Sequence, residues 1–195
     1  MNGQFFAWIS RLRWIKRWSL MRNTFDENVM EHSWEVATIT HALALIKNRK
    51  FGGSVDVNAV TVRALYHDVS EVITADMPSS IKYHSKTIKK AYKAIEKQAV
   101  VELLDTLPDM LRADYAELIE DNEANFDNNQ LIKGADSLSA YIKCRIERIS
   151  GNYEFETAEK NLERELNEMN LPEVNYFMDE FVINYGRNLD QLLEA

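Results

Sequence analysis

Cysteine, proline and glycine are all scarce in this chain of 195 residues, which contains one cysteine, three prolines and six glycines. The single cysteine, Cys144, excludes a framework of intramolecular disulfides and a cysteine-rich zinc site. So few helix-breaking residues leave room for long helices. The sequence has no apolar run approaching the roughly 20 residues that a membrane-spanning helix needs, so we expect no such helix.

Charge is plentiful but unevenly distributed along the chain. Basic side chains number 23 and acidic side chains 31, which gives a formal net charge of −8. An acidic protein repels a phosphate backbone, so we expect no binding of a nucleic-acid polymer over the whole surface. Residues 1–25 are the exception, because they contain no Asp or Glu and have a local charge of +5.

Three interpretations compete for this basic N-terminal segment. A cleaved targeting peptide is disfavoured because charges interrupt the apolar residues every few positions. A basic helix lying on a membrane surface is the second alternative. We favour an amphipathic helix that packs Phe5, Ile9, Leu12 and Ile15 on the domain and leaves the residues at its end free to act elsewhere.

The hydrophobic pattern is helical almost throughout. In residues 28–47, apolar side chains recur at steps of three and four, and Gly52 and Gly53 end this unit. No segment combines period-two alternation with turn signals, so we expect no strand. The sequence therefore predicts an all-α fold, organised as a single domain over residues 1–195 with seven or more helices.

The later helices are assigned from the same periodicity and from the position of the breakers. Asp56 is the expected N-cap of the second helix, and Pro78 is expected to interrupt the helical pattern after it. The polar run Asn122–Asn129 is predicted to be a loop. The charged segment 153–169 is expected to face solvent. The remaining expected helices are 56–74, 86–106, Pro108 to about 123, 129–149, 153–169 and 172–193.

Few residues could carry out chemistry, and the first group is the adjacent pair His67-Asp68. Glu71 follows four positions after His67 and three after Asp68, so in a helix over 56–74 the three would share one face. That face lies beside an apolar stripe, where polar groups need partners or a metal ion. A hydrogen-bonded pair inside a helix is the plain alternative.

Two further residues strengthen the metal interpretation. His32 lies beside the core-facing stripe of the first long helix, and Asp136 lies among apolar residues in LIKGADSLSAYI, where an unpaired carboxylate is costly to bury. Two imidazoles and two carboxylates could bind one divalent transition metal, and the carboxylates favour manganese, iron or cobalt. Open coordination positions would accept water and a substrate oxygen.

The order His32, His67-Asp68, Asp136 resembles the signature of the HD-domain metal-dependent phosphohydrolases. Three segments are similar to bacterial 5′-deoxynucleotidases of the YfbR type: RWSLMRNTFDENVMEHSWEVA, ALYHDVSEVITADMPSSIKY and LIKGADSLSAYIKC. The resemblance runs from about Phe5 to the C-terminus and is loose over 86–130 and after 150. It implies a cytoplasmic homodimer that hydrolyses deoxyribonucleoside 5′-monophosphates with one divalent metal ion per subunit, Co²⁺ or Mn²⁺, with Zn²⁺, Fe²⁺ or Cu²⁺ as alternatives.

The resemblance also implies a role for each matching residue. The implied metal ligands are His32, His67, Asp68 and Asp136, of which His67 and Asp136 would also contact substrate. Glu71 would be the catalytic carboxylate, Arg17 would orient the phosphate and Trp18 would pack against the sugar. The residues implied for the sugar side and the 3′-hydroxyl are Asp76, Met77, Pro78 and Ser79, where Ser79 replaces the usual Thr.

These roles agree with phosphate chemistry. The planar fork of Arg17 suits two phosphate oxygens, and Glu71 could move a proton from water or to the leaving 5′-oxygen. A large ring such as Trp18 could exclude a 2′-hydroxyl by crowding. Glu31 and Glu35, which flank His32, either support it or face solvent.

Two other functions stay open at this point. A related HD enzyme could act on nucleoside triphosphates or cyclic nucleotides. A non-catalytic helical module could instead use its basic N-terminal segment to bind an acidic partner or a membrane surface. His41 and His84 fit no cluster and are expected to be structural or exposed, and Cys144 is expected to be a buried apolar side chain.

Overall fold

The structure is a computed structural model that describes residues 3–120 and 126–194. Its α-helices are α1 (Phe5–Ile9), α2 (Val29–Lys50), α3 (Val57–Leu65), α4 (Glu71–Thr74), α5 (Ser79–Lys82), α6 (Lys86–Leu104), α7 (Asp109–Ile119), α8 (Phe126–Ile149), α9 (Glu156–Glu168), α10 (Pro172–Glu180) and α11 (Leu189–Leu193). Short 3-10 segments cover Ser10–Trp14, Tyr153–Phe155 and Val182–Gly186. The described residues contain no strand beyond an isolated bridge between Lys16 and Asn28, so the all-α prediction is confirmed.

Capping side chains start the helices that carry the site. The side chain of Asn28 accepts a hydrogen bond from the backbone of Glu31, and the Glu31 carboxylate accepts one from the backbone of Asn28. This capping box satisfies backbone N–H groups that have no partner within the helix. Glu31 therefore serves the start of α2. Asp56 accepts from the backbone of Ala59 and is the N-cap of α3, as predicted.

The prediction of one helix over 56–74 is wrong. Helix α3 ends at Leu65, and a run of turns over residues 66–70 separates it from α4. Backbone bonds between residues three apart replace the α-helical pattern here, including Tyr66 N–H to Arg63 O and Glu71 N–H to Asp68 O, each at 3.0 Å. His67 and Asp68 therefore lie in a turn.

The predicted helix over 172–193 is also divided, into α10, the 3-10 segment Val182–Gly186 and α11, and other boundaries differ by smaller amounts. The N-terminal helix is short and continues as a 3-10 segment, although Phe5 and Leu12 are buried as expected. The helix after Pro108 ends at Ile119, and α8 begins at residue 126, inside the predicted loop; residues 122–125 of that loop lie outside the described residues. The segment 153–169 is not wholly solvent-facing, because Phe155 and Leu166 are buried.

Two clusters of buried apolar side chains form the core. The larger cluster joins α2, α3, α8 and the C-terminal helices, with Leu43, Leu138 and Phe177 among its members. The smaller cluster joins α1, the turn after α3 and the C-terminal end of α6, with Phe5 and Val69 among its members. The turn that carries His67 and Asp68 thus borders the smaller cluster, whereas α2 and α8 belong to the larger one.

Gly134 lets α8 approach its neighbours closely. A Cβ atom at this position would lie 3.0 Å from Val174 Cγ2 and 3.4 Å from Leu171 Cδ1. A glycine inside a helix costs about 0.5–1 kcal/mol relative to alanine, and here the close contact with α10 explains it. Asp136 follows Gly134 by two residues on α8. None of the helices described is both long and apolar enough to cross a membrane.

Candidate metal centre and substrate pocket

Side chains from three separate segments converge at one point. His32 on α2 and His67 and Asp68 in the turn after α3 each offer one ligand atom, and these atoms all lie within 4.8 Å of one another. Asp68 Oδ2 lies 3.5 Å from His32 Nε2 and 3.1 Å from His67 Nε2. Asp136 on α8 lies beside His32, with Oδ1 at 3.3 Å from His32 Nε2. The structure therefore groups His32, His67 and Asp68, and it places the fourth predicted ligand, Asp136, in contact with His32.

The turn explains how two adjacent residues reach the same point. Neighbours in an α-helix point about 100° apart, which would separate the His67 and Asp68 side chains. His67 Nδ1 lies 2.8 Å from Ala64 O, so it takes up a carbonyl near the end of α3 and helps to end that helix. The opposite nitrogen, Nε2, then faces Asp68.

Hydrogen bonds behind both imidazoles fix which nitrogen faces the cluster. Because Ala64 O can only accept, His67 carries its proton on Nδ1. Ser139 Oγ donates to Glu35 Oε2 at 2.6 Å and lies 3.1 Å from His32 Nδ1, so His32 also donates through Nδ1. Such partners orient ligating histidines and raise their basicity. Glu35 thus supports His32 through Ser139, one of the two readings left open above.

The donor set fits a divalent metal ion. His32 Nε2 and His67 Nε2 are buried, and neither has a hydrogen-bond partner within the described residues. Buried polar atoms without partners are costly and uncommon. Two lone pairs that face carboxylate oxygens at 3.1–3.5 Å need a positive charge between them. A divalent ion would supply that charge and satisfy both imidazoles.

The electrostatics of His32 and of the two carboxylates point in the same direction, whereas for His67 burial lowers the pKa but Asp68 and Asp136 outweigh it and raise the pKa. Burial and the nearby Arg17 lower the pKa of His32, which favours the neutral imidazole that a metal requires. Burial works against ionisation of Asp68, but His67 outweighs it and lowers the pKa of Asp68 to about 2. For Asp136, burial likewise raises the pKa, and contacts with His32 and Lys133 bring it well below the usual range.

Glu71 is a buried carboxylate beside this cluster. It is the first residue of α4 and is only 5% exposed, and its Oε2 atom has no hydrogen-bond partner among the residues described. Burial, with the charges of Asp68 and Asp76 adding to it, raises the pKa of Glu71 to about 9. Burial also raises the pKa of Asp76, while Arg17 lowers it and Asp68 raises it. Both carboxylates therefore belong to the same electrostatic environment as the cluster.

Arg17 reaches the cluster from the N-terminal segment. Its Nη1 atom lies 3.7 Å from Asp68 Oδ2, and its side chain is 12% exposed. Trp18 packs its ring edge-on against Phe155 at a centroid distance of 5.4 Å. Both residues donate to Glu27 Oε2, Arg17 through Nε at 3.0 Å and Trp18 through Nε1 at 2.9 Å.

Two residues in the left-handed region of the backbone lie next to predicted substrate residues. Trp18 has φ 56° and Ala75 has φ 58°, a conformation that costs a non-glycine residue about 1–3 kcal/mol. Ala75 precedes Asp76, and the chain then passes through Met77 and Pro78 into α5, which begins at Ser79. Strain of this kind clusters at ligand sites.

Two cavities lie near these groups. One of about 170 Å³ is lined by His67, Asp136, Lys133 and Arg63, among others. A larger one of about 570 Å³ lies between the start of α2 and α8, and none of the four predicted ligands lines it. The smaller cavity therefore borders two of the four predicted ligands, His67 and Asp136.

Sequence reasoning missed three residues that the structure adds to the site. Glu27 anchors Arg17 and Trp18, Ser139 connects His32 to Glu35, and Lys133 Nζ lies 3.3 Å from Asp136 Oδ2. Lys133 carried a signal, because it precedes Asp136 by one helical turn. Ser139 follows Asp136 by one turn, but its contact with His32, 107 residues away along the chain, could not be predicted.

A family model and curated proteins are similar to this chain in sequence. A family model described as 5′-deoxynucleotidase YfbR-like matches residues 4–185. The chain is 47% identical over 191 residues to 5′-deoxynucleotidase YfbR of Escherichia coli, and the match covers 98% of this chain and 96% of that protein.

Solved structures resemble the fold at lower identity. An HD-domain phosphohydrolase from Listeria innocua has a TM-score of 0.81 at 21% identity, covering 98% of this chain and 95% of that one. The cyanophage S-2L HD phosphohydrolase DatZ, solved with dA and one catalytic Zn²⁺ ion, has a TM-score of 0.64 at 16% identity, covering 94% and 99%. At these identities the likeness concerns the fold.

Proposed function

The chain belongs to the YfbR-like 5′-deoxynucleotidase family, and we infer from this membership that it is a metal-dependent enzyme that hydrolyses deoxyribonucleoside 5′-monophosphates to deoxynucleoside and phosphate. The convergence of His32 Nε2, His67 Nε2 and the Asp68 carboxylate supports this proposal. The expectation of an HD-type fold is confirmed by the structural neighbours.

We propose that His32, His67, Asp68 and Asp136 bind one divalent ion, with Co²⁺ or Mn²⁺ supporting activity. Two imidazoles with two carboxylates and no thiolate suit these ions, and Zn²⁺, Fe²⁺ and Cu²⁺ are alternatives. The HD phosphohydrolase DatZ contains Zn²⁺ at its catalytic centre, which supports a transition metal here. When bound, the ion supplies Lewis-acid stabilisation of phosphate oxygens and activates water.

The residues around this centre would divide the remaining work. Arg17 would bind phosphate oxygens, since a guanidinium fork matches them and neutralises developing charge. Glu71 would move a proton between water and the leaving 5′-oxygen, because it is buried beside Asp68 and its Oε2 is available. Arg17 contacts Asp68, and the charge of Asp68 acts on Glu71, so both groups would act on a phosphate ester bound beside Asp68.

The deoxyribose would be recognised by residues on either side of the phosphate. Trp18 would lie against the sugar and exclude a 2′-hydroxyl by crowding, which discriminates more strongly than an apolar surface does. Asp76, together with Met77, Pro78 and Ser79, would line the sugar side. The carboxylate of Asp76 is the natural acceptor for a 3′-hydroxyl proton.

Two further features of the molecule belong to this proposal. We propose a homodimer, supported by large apolar side chains left exposed on the surface, among them Trp34 and Met110. We also propose that residues 1–195 form a single domain, because the site lies between the two apolar clusters. We propose a cytoplasmic location, because the one cysteine is a buried free thiol. Sedimentation equilibrium tests the dimer.

The activity itself is tested by phosphate release from dAMP and AMP, with and without added Co²⁺ or Mn²⁺. We expect dAMP to be hydrolysed in preference to AMP, activity to be lost after EDTA treatment, and either metal to restore it. Glu71→Gln should lower kcat by about 10²–10⁴-fold while metal binding is retained. A protein that released phosphate equally well after EDTA, or that acted on triphosphates or cyclic nucleotides instead, would contradict the assignment.

A further inference from the structure

Glu27 connects the two residues that we have assigned to phosphate and sugar. A single carboxylate oxygen, Oε2, accepts from Arg17 Nε at 3.0 Å and from Trp18 Nε1 at 2.9 Å. The backbone reinforces the contact, because Arg17 N–H donates to Glu27 O at 3.0 Å. The Arg17 and Glu27 side chains are only 12% and 13% exposed, so solvent screens this pair weakly.

The hydrogen bonds to Glu27 leave the terminal guanidinium nitrogen Nη1 of Arg17 and the ring of Trp18 free to make other contacts. Glu27 holds Arg17 by Nε, at the base of the guanidinium, while the terminal Nη1 points to within 3.7 Å of Asp68 Oδ2. Trp18 is held at the indole nitrogen on one edge, and its ring packs against Phe155. One carboxylate thus fixes the orientation of two planar groups.

A negative charge beside an anion-binding arginine would weaken phosphate binding if its only effect were electrostatic. A buried carboxylate in this position therefore needs another reason. Charge-assisted hydrogen bonds are about twice as strong as neutral ones and set geometry more tightly. Such bonds would fix the orientation of the Arg17 guanidinium relative to the Trp18 indole.

We propose that Glu27 is a positioning residue that locks the guanidinium of Arg17 to the indole of Trp18, and so couples phosphate orientation to selection of the deoxyribose. This inference rests on the substrate roles proposed for Arg17 and Trp18. It predicts that loss of the carboxylate impairs turnover and sugar discrimination together.

The chain offers a matched control one residue earlier. Asp26 pairs with Lys16 at 2.6 Å, one position before Arg17, but these side chains are 67% and 65% exposed. An exposed pair of this kind contributes about 0–1 kcal/mol. Asp26→Asn removes a neighbouring negative charge from the same loop without touching Arg17 or Trp18.

The experiment compares Glu27→Gln with Asp26→Asn in phosphate release from dAMP and AMP at saturating Mn²⁺. We expect Glu27→Gln to lower kcat/KM for dAMP about tenfold, the size of a lost charged hydrogen bond, and to narrow the preference for dAMP over AMP. Asp26→Asn should change neither quantity by more than about twofold. Circular dichroism and metal binding establish that each variant is folded, and Glu27→Asp provides a second variant that withdraws the carboxylate by one methylene.

A readout independent of activity is the indole N–H resonance of Trp18 in ¹⁵N-labelled protein. The chain has four tryptophans, and Trp18→Phe identifies the resonance by its disappearance. Glu27→Gln should shift that resonance, whereas Asp26→Asn should leave it in place. In the Trp18→Phe background, Glu27→Gln should still reduce kcat through Arg17 but should no longer alter the dAMP/AMP ratio.

Failure of this inference and failure of the underlying roles give different results. If Arg17→Ala and Trp18→Phe alter turnover or selectivity but Glu27→Gln behaves like Asp26→Asn in kinetics and resonance position, the positioning role of Glu27 is wrong. If Arg17→Ala and Trp18→Phe change neither turnover nor the dAMP/AMP ratio, the roles proposed for those residues are wrong instead.

Discussion

At the scale of single residues, the predicted ligands depend on partners behind them. His32 is buried on α2, and its Nδ1 atom lies 3.1 Å from the hydroxyl of Ser139, which in turn donates to Glu35. These two hydrogen bonds orient the ring so that Nε2 faces Asp68. A ligand held in its binding orientation loses less conformational freedom when the ion binds, so the hydrogen bonds should raise metal affinity.

Ser139→Ala tests this support. We expect the dissociation constant for Mn²⁺ or Co²⁺ to rise about 10–100-fold, because the imidazole loses its partner at Nδ1. Calorimetric titration of the metal-free protein measures it directly. Ser137→Ala is the matched control, since Ser137 is also buried on α8 and donates to Glu165 at 3.0 Å without contacting a ligand. Equal affinities in the two variants would mean that Ser139 does not support the site.

At the scale of elements, the loop between the first 3-10 segment and α2 carries Arg17, and α8 holds that loop in place. Glu147 on α8 accepts from the backbone of Thr24 at 3.1 and 3.0 Å through its two oxygens. Lys143, one turn earlier, donates to Phe25 O and to Glu147, both at 2.6 Å. The loop therefore depends on a buried ion pair of α8 for its position.

Glu147→Gln should destabilise the protein and change its response to acid. Burial raises the pKa of Glu147, but hydrogen bonds from Lys143 and Asn152 outweigh it and lower that pKa from 4.5 to about 2. Because the folded-state pKa is depressed, the stabilisation is complete above pH 4.5 and is lost as the pH falls toward 2. Removing one partner of a buried pair costs about 3–5 kcal/mol.

Urea unfolding at pH 7 and at pH 3 measures both effects. The wild-type protein should lose more free energy of unfolding between these pH values than Glu147→Gln does. Glu154→Gln is the control, because Glu154 pairs with Arg22 of the same loop and the Arg22 side chain is 90% exposed. That variant should stay within about 1 kcal/mol of wild type. If Glu147→Gln and the wild-type protein lost the same free energy of unfolding between pH 7 and pH 3, the stabilising role of ionised Glu147 would be wrong.

At the scale of the whole molecule, the proposed metal centre lies between the two apolar clusters. His32 and Asp136 come from α2 and α8 of the larger cluster, and the turn with His67 and Asp68 borders the smaller one. An ion bound by all four side chains would connect three segments that are distant in sequence. It would bind the folded chain only, and so should stabilise it.

Thermal unfolding should therefore depend on the metal. At a free Mn²⁺ or Co²⁺ concentration of about 100 times Kd, binding adds about 2.7 kcal/mol, which corresponds to a rise in Tm of about 5–10 °C for a chain of this size. Asp136→Ala should abolish the rise. His41→Ala should preserve it, since His41 is exposed on α2. A Tm that no divalent metal changes would argue against an ion shared by these segments.

The sequence by itself determined the helical fold class and the family. Scarce glycine and proline, together with apolar steps of three and four, define where the long helices lie, since both are local properties of the chain. The order of His32, His67-Asp68 and Asp136 and the sequence around them indicated the phosphohydrolase family. Motif order and spacing can be compared between sequences without knowing which residues are in contact.

Only the tertiary structure decided how the site is built. The break after Leu65 depends on the contact of His67 with Ala64 O and on packing of the turn, so a periodicity argument extended the helix too far. The roles of Glu27 and Ser139 could not be predicted, because they consist of contacts with side chains that only folding brings near. Ser139 and His32 are 107 residues apart along the chain. Local sequence determines propensity and periodicity, whereas the geometry of a catalytic centre depends on contacts between distant segments.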